Sequence, residues 1–397
     1  MASIQRRKAR TSGGSVSYRV RYRDPSGAEQ SKSFSKHAQA LAFKATVEAD
    51  KLRGTYVDPK RGRMTLGEYA ELWLAQQTFG LRTREQTTSR VRGHIIPSLG
   101  STPLVALRAS GVQSWVKAKQ EVLAPRTVHL IFGHLSSMLS AAVDDERIPK
   151  NPCKAGSIRL PKIDPRKVVP WTPEQVVGIQ RGLPDRYQVL LVLATGLGLR
   201  QGEVFGVAVD DIDFLRQEVH VRRQVTWVGG CQVFALPKHG RTRKVPLSAR
   251  VAQALAAHIQ QSQPTPVTLP WEETGGREVT ARLLVVSRET KALNRNYINR
   301  NIWKPALRLA GIDPRRDQMM HAARHLFASA QLEAGTSIRA VAEYLGHSDP
   351  GFTLRTYTHL MPEAEDKAKR AIDTLFERLD EVADDPLCGP DVARKAL

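Results

Sequence analysis

Apolar residues take every second position of residues 16–23, and polar residues, three of them arginine, stand between them. A period of two predicts a β-strand with one apolar face. The turn sequence of residues 24–27 follows, then a second strand near 30–34 and a helix from about 36 to 52. Residues 1–60 are therefore predicted to form a small β-sheet-plus-helix domain.

The pattern changes to a helical period after the basic segment 60–63. Thr65 and Glu68 have the spacing of a capping box, and apolar residues then recur every three or four positions. Further helical stretches are predicted near 84–96, 108–120 and 125–145. Residues 64–154 are therefore predicted to form an all-α domain. Its two tryptophans, Trp73 and Trp115, are expected in its core.

Proline and basic residues without apolar periodicity mark 155–170 as an extended linker. Thr172 and Gln175 then cap a new helix, with proline at its first position. The remainder, 171–380, is predicted to be mainly helical with one small three-stranded antiparallel sheet. Its strands are expected near 217–228, 231–236 and 243–247, and its later helices near 249–261, 294–310, 320–334, 338–345, 351–360 and 363–379.

These predictions combine into a multidomain α+β protein that ends in an acidic tail at 381–397, expected to be flexible. Among 397 residues the three cysteines are far apart and without metal-ligand spacing, so neither a disulfide framework nor a zinc site is indicated. No apolar run approaches a membrane span, and the first residues lack the apolar core of a signal peptide. A reducing cytoplasm is the expected compartment.

The net charge of the chain indicates what kind of partner it binds. With 60 Lys and Arg against 39 Asp and Glu, the chain has a formal charge of +21, which is typical of proteins that bind a polyanion such as nucleic acid. Residues 1–63 contain 15 of these cations and 5 acidic residues. In the first domain, Arg19, Arg21, Arg23 and Lys32 are the candidate DNA contacts, because a β-ribbon can enter the major groove. A solvated surface without a partner is the alternative reading. The same alternative holds for the basic residues between Arg82 and His94.

Residues suited to phosphoryl transfer cluster near the C-terminus. His321 and Arg324 are three residues apart on one predicted helix, hence on one face, and His347 and Tyr357 follow them. Cations can stabilise the charge of a phosphate under attack, histidine can move a proton, and tyrosine can form a covalent intermediate. Arg200 and Lys238 lie upstream. Each residue alone has an ordinary structural explanation, and the joint pattern is what indicates chemistry.

The pattern resembles the tyrosine recombinase family, and within it the integrases of phages and integrative elements. The resemblance is carried by Gly198-Leu199-Arg200-Gln201-Gly202-Glu203, the HxxRH sequence at 321–325, Leu345-Gly346-His347 and Tyr357. One departure is Ala323, where the family usually has leucine. The resemblance implies an N-terminal arm-binding domain, a helical core-binding domain and a catalytic domain.

It also implies roles. Arg200 and Arg324 would bind the non-bridging oxygens, His321 would accept the proton of Tyr357, Lys238 would protonate the leaving 5′ oxygen, and His347 would donate to the phosphate. His325 would be a supporting residue. The product would be a 3′-phosphotyrosine, made without metal or other cofactor.

The implied partners are double-stranded DNA attachment sites, further copies of the chain in a homotetramer, a DNA-bending host factor and a directionality factor, with no membrane. Three points stay open at the level of sequence. Arg241, Arg243 and Lys244 share the hairpin of Lys238, so the proton donor is not unique. A type IB topoisomerase would use the same nucleophile and arginines. A non-catalytic DNA-binding regulator would need the basic charge alone.

Overall fold

The computed structural model describes residues 2–8, 16–23, 27, 29–52, 63–163, 168–357 and 372–377. The chain divides into two compact units, Met1–Pro165 and Arg166–Leu397. The first unit contains two hydrophobic clusters, one in its N-terminal segment and one in its helical segment. The second unit contains a single large cluster.

The N-terminal segment is an antiparallel sheet covered by one helix. It consists of β1 Ser3–Lys8, β2 Val16–Arg23, β3 Glu29–Phe34 and α1 His37–Leu52, with the strands in the order β1-β2-β3. Val20 and Tyr22 of β2 are buried together with Ala40 of α1. The two predicted strands and the helix are confirmed. The position of β1 was not predicted, because Ile4 is its only apolar residue and the strand therefore has no alternating pattern.

The helical segment contains the predicted helices, except that a π-helical turn, Val91–Ile95, divides the helix predicted near 84–96. Its helices are α2 Leu66–Gln76, α3 Leu81–Arg90, α4 Ile96–Leu99, α5 Ala109–Val122 and α6 Pro125–Asp144. The capping box is present, since Thr65 N donates to Glu68 Oε2 at 2.8 Å and Glu68 N donates to Thr65 Oγ1 at 3.3 Å. Trp73 and Trp115 are buried in the helical core.

The second unit contains nine α-helices between residues 168 and 357. They are α7 Pro173–Gly182, α8 Asp185–Gly196, α9 Gln201–Gly206, α10 Ala249–Gln261, α11 Arg295–Tyr297, α12 Lys304–Leu309, α13 His321–Glu333, α14 Ile338–Leu345 and α15 Pro350–Tyr357. The helix predicted near 294–310 is interrupted by a π-helical turn, Ile298–Trp303. Pro305 follows this turn and lacks the N–H that a regular α-helix would use there.

The strands of the second unit form more sheets than predicted. They are β4 Ile212–Asp213, β5 Glu218–Val221, β6 Gln224–Val228, β7 Cys231–Ala235, β8 Arg243–Pro246, β9 Thr265–Pro270 and β10 Glu278–Leu283. The antiparallel sheet β4-β5-β8 has three strands, while β6 pairs with β7 and β9 with β10.

Two details of that sheet prediction were wrong. The strand expected over 217–228 is two strands in different sheets, because the chain turns at Arg223, whose guanidinium donates to Asp211 at 2.7 and 3.1 Å. The pair β9 and β10 was not predicted. Pro266 and Pro270 lie in β9, and proline in a short run argues against a strand unless the strand is at a sheet edge.

Several predicted segments lie wholly or partly outside the described residues. Of the helix expected at 363–379, residues 372–377 are described, and they are helical with Ile372, Leu375 and Phe376 exposed. The tail at 381–397 lies outside the described residues. The described part of the 155–170 segment contains no helix or strand. Among the described residues, no helix is long and apolar enough to cross a membrane.

Candidate active site

A sharp corner between α8 and α9 presents Arg200. Gly198 has φ +62°, and a Cβ there would lie 2.5 Å from the Phe327 ring, so the corner requires glycine. Arg200 follows in extended backbone as the N-cap residue of α9, and its backbone N–H donates to Glu203 Oε2 at 2.9 Å. Glycine therefore sets the direction in which the first arginine leaves the core.

Arg324 joins this corner to the end of α14. Its side chain is 1% exposed, and Nη1 donates to the Gly198 carbonyl at 2.7 Å while Nη2 donates to the Leu345 carbonyl. Burial, followed by the charge of Arg200, lowers the pKa of Arg324 to about 9. The guanidinium therefore keeps its charge at neutral pH, and the three segments that form the site are held together by it.

Glu203 is the buried anion among these cations. It accepts from Arg200 Nη1 at 2.9 Å and from both terminal nitrogens of Arg243, at 3.1 and 2.7 Å. Burial alone would raise its pKa, but the hydrogen bond from Arg243 and the charges of Arg243, Arg200 and Arg324 lower it to about 2. Arg243 also donates to the Tyr344 carbonyl at 2.6 Å, so β8 is attached to α14 beside the site.

The end of α14 and the start of α15 supply the third histidine. Gly346 ends α14 in the left-handed conformation, and its carbonyl accepts from Arg200 Nη2 at 3.0 Å. His347 Nδ1 is hydrogen-bonded to the buried Thr353 hydroxyl at 2.7 Å. Because Nδ1 is occupied, the other ring nitrogen, Nε2, is the one available to a ligand.

Tyr357 lies at the end of α15 and is 1% exposed. Its hydroxyl is 2.6 Å from Nδ1 of His325, and the two ring centroids are 5.6 Å apart. Burial raises the pKa of Tyr357 to about 12, and the nearby Arg324 charge opposes this rise. Sequence analysis gave His321 as the partner of Tyr357. The observed partner is His325, one helical turn further along α13.

His321 lies beside this pair and reaches the surface. Its ring packs edge-on against His325 with centroids 4.7 Å apart, and the residue is exposed. Packing around the ring removes part of its hydration, and His325, Arg324 and Arg200 lie nearby, so the pKa of His321 is below its usual value. Burial and the charges of Arg324 and Arg200 likewise lower the pKa of His347, to about 3. Both rings are neutral at pH 7.

Lys238 is apart from this cluster. It begins the turn between β7 and β8, is exposed, and has no hydrogen bond or ion pair within the described residues. Arg243 and Lys244, which follow it in β8, are engaged, the first with Glu203 and the second with Glu218 Oε1 at 2.7 Å. The structure therefore brings Arg200, Arg324, His321, His347 and Tyr357 together, and leaves Lys238 at the surface.

The predicted N-terminal DNA contacts fall on two faces of their sheet. Arg19, Arg21 and Arg23 pair across the strands with Ser33, Ser31 and Glu29, on the face away from α1. Lys32 is opposite the buried Val20, and its ammonium lies 4.8 Å from the ring centroid of Phe43 in α1. Lys32 therefore does not join the arginines.

Two of these arginines, and one in the helical segment, have local partners. Arg19 donates to Ser31 Oγ at 2.7 Å, and Arg21 forms an ion pair with Glu29 at 2.6 Å. In the helical segment, Arg92 forms a two-point ion pair with Glu71 at 2.7 and 2.9 Å. Whether these basic faces bind DNA stays a prediction.

The observed contacts of three residues of the site are not predicted from sequence alone, which offers Arg243 only as an alternative proton donor. They are Glu203, Arg243 and Thr353. Glu203 stands inside the arginine motif at 198–203, and an acidic residue three positions after an arginine is a signal of a local ion pair. No local pattern indicates Arg243 or Thr353. The partners of Arg243 are distant in the sequence, and the contact of Thr353 depends on the orientation of the His347 ring.

Two family profiles and several known proteins match this chain. The profile of the phage integrase family matches residues 173–364, and that of the phage integrase N-terminal SAM-like domain matches residues 65–120. A "Tyrosine recombinase XerC-like" protein of Caldanaerobacter subterraneus subsp. tengcongensis is 25% identical over 337 residues, which are 79% of this chain and 84% of the relative. The putative prophage phiRv2 integrase of Mycobacterium tuberculosis is 28% identical over 295 residues, 74% of each chain.

Two solved structures of similar fold are DNA complexes. The Tn1549 transposon integrase with transposon right-end DNA has a TM-score of 0.63 at 22% identity, over 79% of this chain and 99% of that one. A λ integrase tetramer bound to a Holliday junction has a TM-score of 0.56 at 17% identity, over 83% of this chain and 93% of that one.

The two profiles together match more than half of the chain, and the arginines, histidines and terminal tyrosine of the site lie within the larger match. Members of the tyrosine recombinase family are enzymes that cleave and rejoin DNA. The chain belongs to the phage integrase family of tyrosine recombinases, which carry out site-specific DNA recombination.

Proposed function

We propose that this protein cuts and rejoins DNA through a covalent bond between Tyr357 and a 3′ phosphate, and thereby integrates or excises a phage genome or mobile element. The observation that carries the proposal is the cluster of two arginines beside Tyr357. Arg200 pairs with Glu203, and Arg324, which donates to the Gly198 carbonyl, lies close enough for its charge to act on both Glu203 and Tyr357. Two guanidiniums beside a buried tyrosine suit an attack on an anionic phosphodiester, since arginine stays charged and has several donors.

In this mechanism Arg200 and Arg324 stabilise the charge on the non-bridging oxygens. Each guanidinium has five N–H donors, and the bonds to protein acceptors described above use two terminal nitrogens of each. Donors remain for phosphate oxygens. His347 donates through Nε2, and His321, at the exposed edge, donates to or accepts from the DNA backbone. Donors that are fixed before the reaction stabilise the transition state without reorganisation.

Lys238 is proposed as the proton donor to the leaving 5′ oxygen. What supports this choice is the state of its neighbours, because Arg243 and Lys244 already pair with carboxylates while Lys238 is exposed in the turn. An ammonium at a turn can approach a bound strand from outside the cluster. Arg241 is exposed in the same turn and is the alternative donor.

The partners are proposed as double-stranded attachment sites and three further copies of the chain. The solved λ integrase tetramer on a Holliday junction supports this assembly by analogy of fold. Residues 1–60 are proposed to bind arm-type DNA and residues 64–154 the core site, with 171–380 as the catalytic domain. A DNA-bending host factor, a directionality factor and action in the bacterial cytoplasm complete the proposal. The covalent intermediate retains the energy of the phosphodiester, so no ATP, metal or other cofactor is required for rejoining.

A recombination assay tests the proposal against its alternatives. Core sites are selected from random-sequence DNA by binding to the purified protein, and two copies are placed on one supercoiled plasmid. We expect inversion or deletion of the DNA between the sites, and loss of this product with Tyr357→Phe. Relaxation of the plasmid without exchange would indicate a topoisomerase, and binding without cleavage would indicate a regulator.

A further inference from the structure

The hydroxyl of the proposed nucleophile has a hydrogen-bond partner to which sequence analysis gave only a supporting role. Tyr357 Oη and His325 Nδ1 are 2.6 Å apart, which is short for such a pair and within the range for direct proton transfer. Tyr357 is 1% exposed, so bulk water has little access to this hydroxyl and an adjacent side chain is the natural acceptor of its proton.

The state of the His325 ring suits an acceptor. Burial and the positive charge of Arg324 lower the pKa of His325 to about 4, so the ring is neutral at pH 7. In the tautomer that carries its proton on Nε2, Nδ1 presents a lone pair to the Tyr357 hydroxyl. A bound phosphodiester adds negative charge beside Arg324 and Arg200, which favours the protonated ring once DNA is present.

His321 is less well placed for the same step. Its ring packs against His325 rather than against Tyr357, and the residue is exposed. The charged and titratable groups around His325 are thus Arg324 and His321 on its own helix, Tyr357 on α15, and His347 just before that helix. Tyr357 is the one that gives up a proton in the reaction.

We infer that His325, and not His321, accepts the proton of Tyr357 as its oxygen attacks the phosphodiester, an inference that rests on the proposed function. The Tyr357 Oη–P bond forms and the P–O5′ bond breaks. The tyrosine proton moves to His325 Nδ1, and the 5′ oxygen takes a proton from the general acid. Rejoining reverses each transfer, so His325 then returns its proton to Tyr357.

Three variants separate acceptance of the proton from positioning of the tyrosine. His325→Ala removes the ring, and His325→Asn retains an amide near the Nδ1 position that can hydrogen-bond but cannot take the proton. His321→Ala is the matched change one turn earlier on the same helix. Each full-length variant is assayed on nicked core-site DNA for the rate of covalent adduct formation, with core-site binding measured in parallel as the control for folding.

We expect both His325 variants to form the adduct about 10²- to 10⁴-fold more slowly than the wild type, the range typical of a general base. Added imidazole should partly restore His325→Ala, and its rate should rise with pH as hydroxide takes over the proton. A substrate with sulfur in place of the bridging 5′ oxygen should not restore it, because a thiolate leaving group removes the need for an acid and not for a base.

Other outcomes overturn the inference. A wild-type rate for His325→Asn would mean that a hydrogen bond suffices and that His325 only positions Tyr357. Rescue of His325→Ala by the sulfur substrate would make His325 an acid. Imidazole rescue of His321→Ala alone would return the role to His321. All of these outcomes require that the wild-type protein forms the adduct. If the wild type formed none, the proposed function itself would be rejected.

Discussion

Arg324 has a structural role and, in the proposed mechanism, also binds the phosphate. Its guanidinium is almost fully buried, and it donates hydrogen bonds to carbonyls of the α8–α9 corner and of the end of α14. Such a buried cation is tolerated because hydrogen bonds and the nearby Glu203 carboxylate compensate for its lost hydration. Its removal would therefore disturb folding as well as chemistry, whereas Arg200, which is partly exposed, is the better probe of chemistry.

Arg200→Ala should slow strand cleavage by about 10²- to 10³-fold, the usual loss when a donor to developing charge is removed. DNA affinity should change little, because this +21 chain has many other basic residues that are available to phosphate. Cleavage of nicked core-site DNA and binding by gel shift measure the two effects. Arg308→Ala removes the same charge from the exposed face of α12 and should leave cleavage unchanged. Near-normal cleavage by Arg200→Ala would remove that arginine from the site.

Glu203 gives a prediction for stability against pH. Its pKa falls from 4.5 to about 2 in the folded protein, so the unfolded chain binds the proton more readily. Its contribution to stability, on the order of 3 kcal/mol, is complete above about pH 4.5 and is lost as the pH falls towards 2.

Glu203→Gln should therefore be less stable at pH 7, and its denaturant midpoint should fall less than that of the wild type between pH 4.5 and 2. The wild type and this variant share all other carboxylates, so the difference between the two curves isolates Glu203. Parallel curves would contradict the assigned pKa.

At the scale of elements, α15 links two groups of the site. Thr353 and Tyr357 are four residues apart on this helix, and the Thr353 hydroxyl fixes His347 while Tyr357 contacts His325. A shift of α15 thus moves the nucleophile and one phosphate donor together. The helix is short and its Thr353 is fully buried. Water therefore cannot take the place of His347 as the hydrogen-bond partner of the Thr353 hydroxyl.

Thr353→Val should slow cleavage by about 10- to 100-fold, since loss of orientation at a reacting group is costly even without loss of the group itself. Thr353→Ser keeps the hydroxyl and should stay near the wild-type rate. Single-turnover cleavage of saturating DNA is the suitable measurement. Equal rates for the valine variant and the wild type would show that His347 needs no such support.

Local patterns predicted most of these elements, and long-range contacts determined the rest. Alternation identified β2, and the capping boxes identified α2 and α7. Sequence could not decide between His321 and His325, because both lie on one face of α13 and the position of α15 selects the turn that meets Tyr357. Sequence could not choose between Arg243 and Lys238 as the proton donor either, because the partner that engages Arg243, Glu203, lies 40 residues away.

At the scale of the whole molecule, the uneven charge leads to a two-site prediction. Deletion of residues 1–60 should spare cleavage of a short core site and impair recombination between full sites, because the basic sheet would bind separate DNA. Arg19, Arg21 and Arg23 lie on the face away from α1, so their combined change to alanine should reproduce the deletion.

The salt dependence of DNA binding, compared between the wild type and the triple alanine variant, gives a further test of this prediction. Loss of these three arginines should lower the slope of log affinity against log salt by roughly 2 to 3, at about 0.9 per phosphate contact. Lys32→Ala, on the opposite face, is the matched control and should change the slope less. A triple variant with unchanged slope and unimpaired recombination would exclude the sheet as a DNA contact.

The central claim is that Tyr357 is the nucleophile, and its most direct test is to trap the covalent complex. A core site nicked just beyond the scissile phosphate releases a short fragment on cleavage, so rejoining stops and the adduct accumulates. Proteolysis and mass spectrometry should then locate the nucleotide on the peptide that contains Tyr357, and Tyr357→Phe should give no adduct while it still binds the site. An adduct mapped to another residue, or an undiminished adduct with Tyr357→Phe, would contradict the claim.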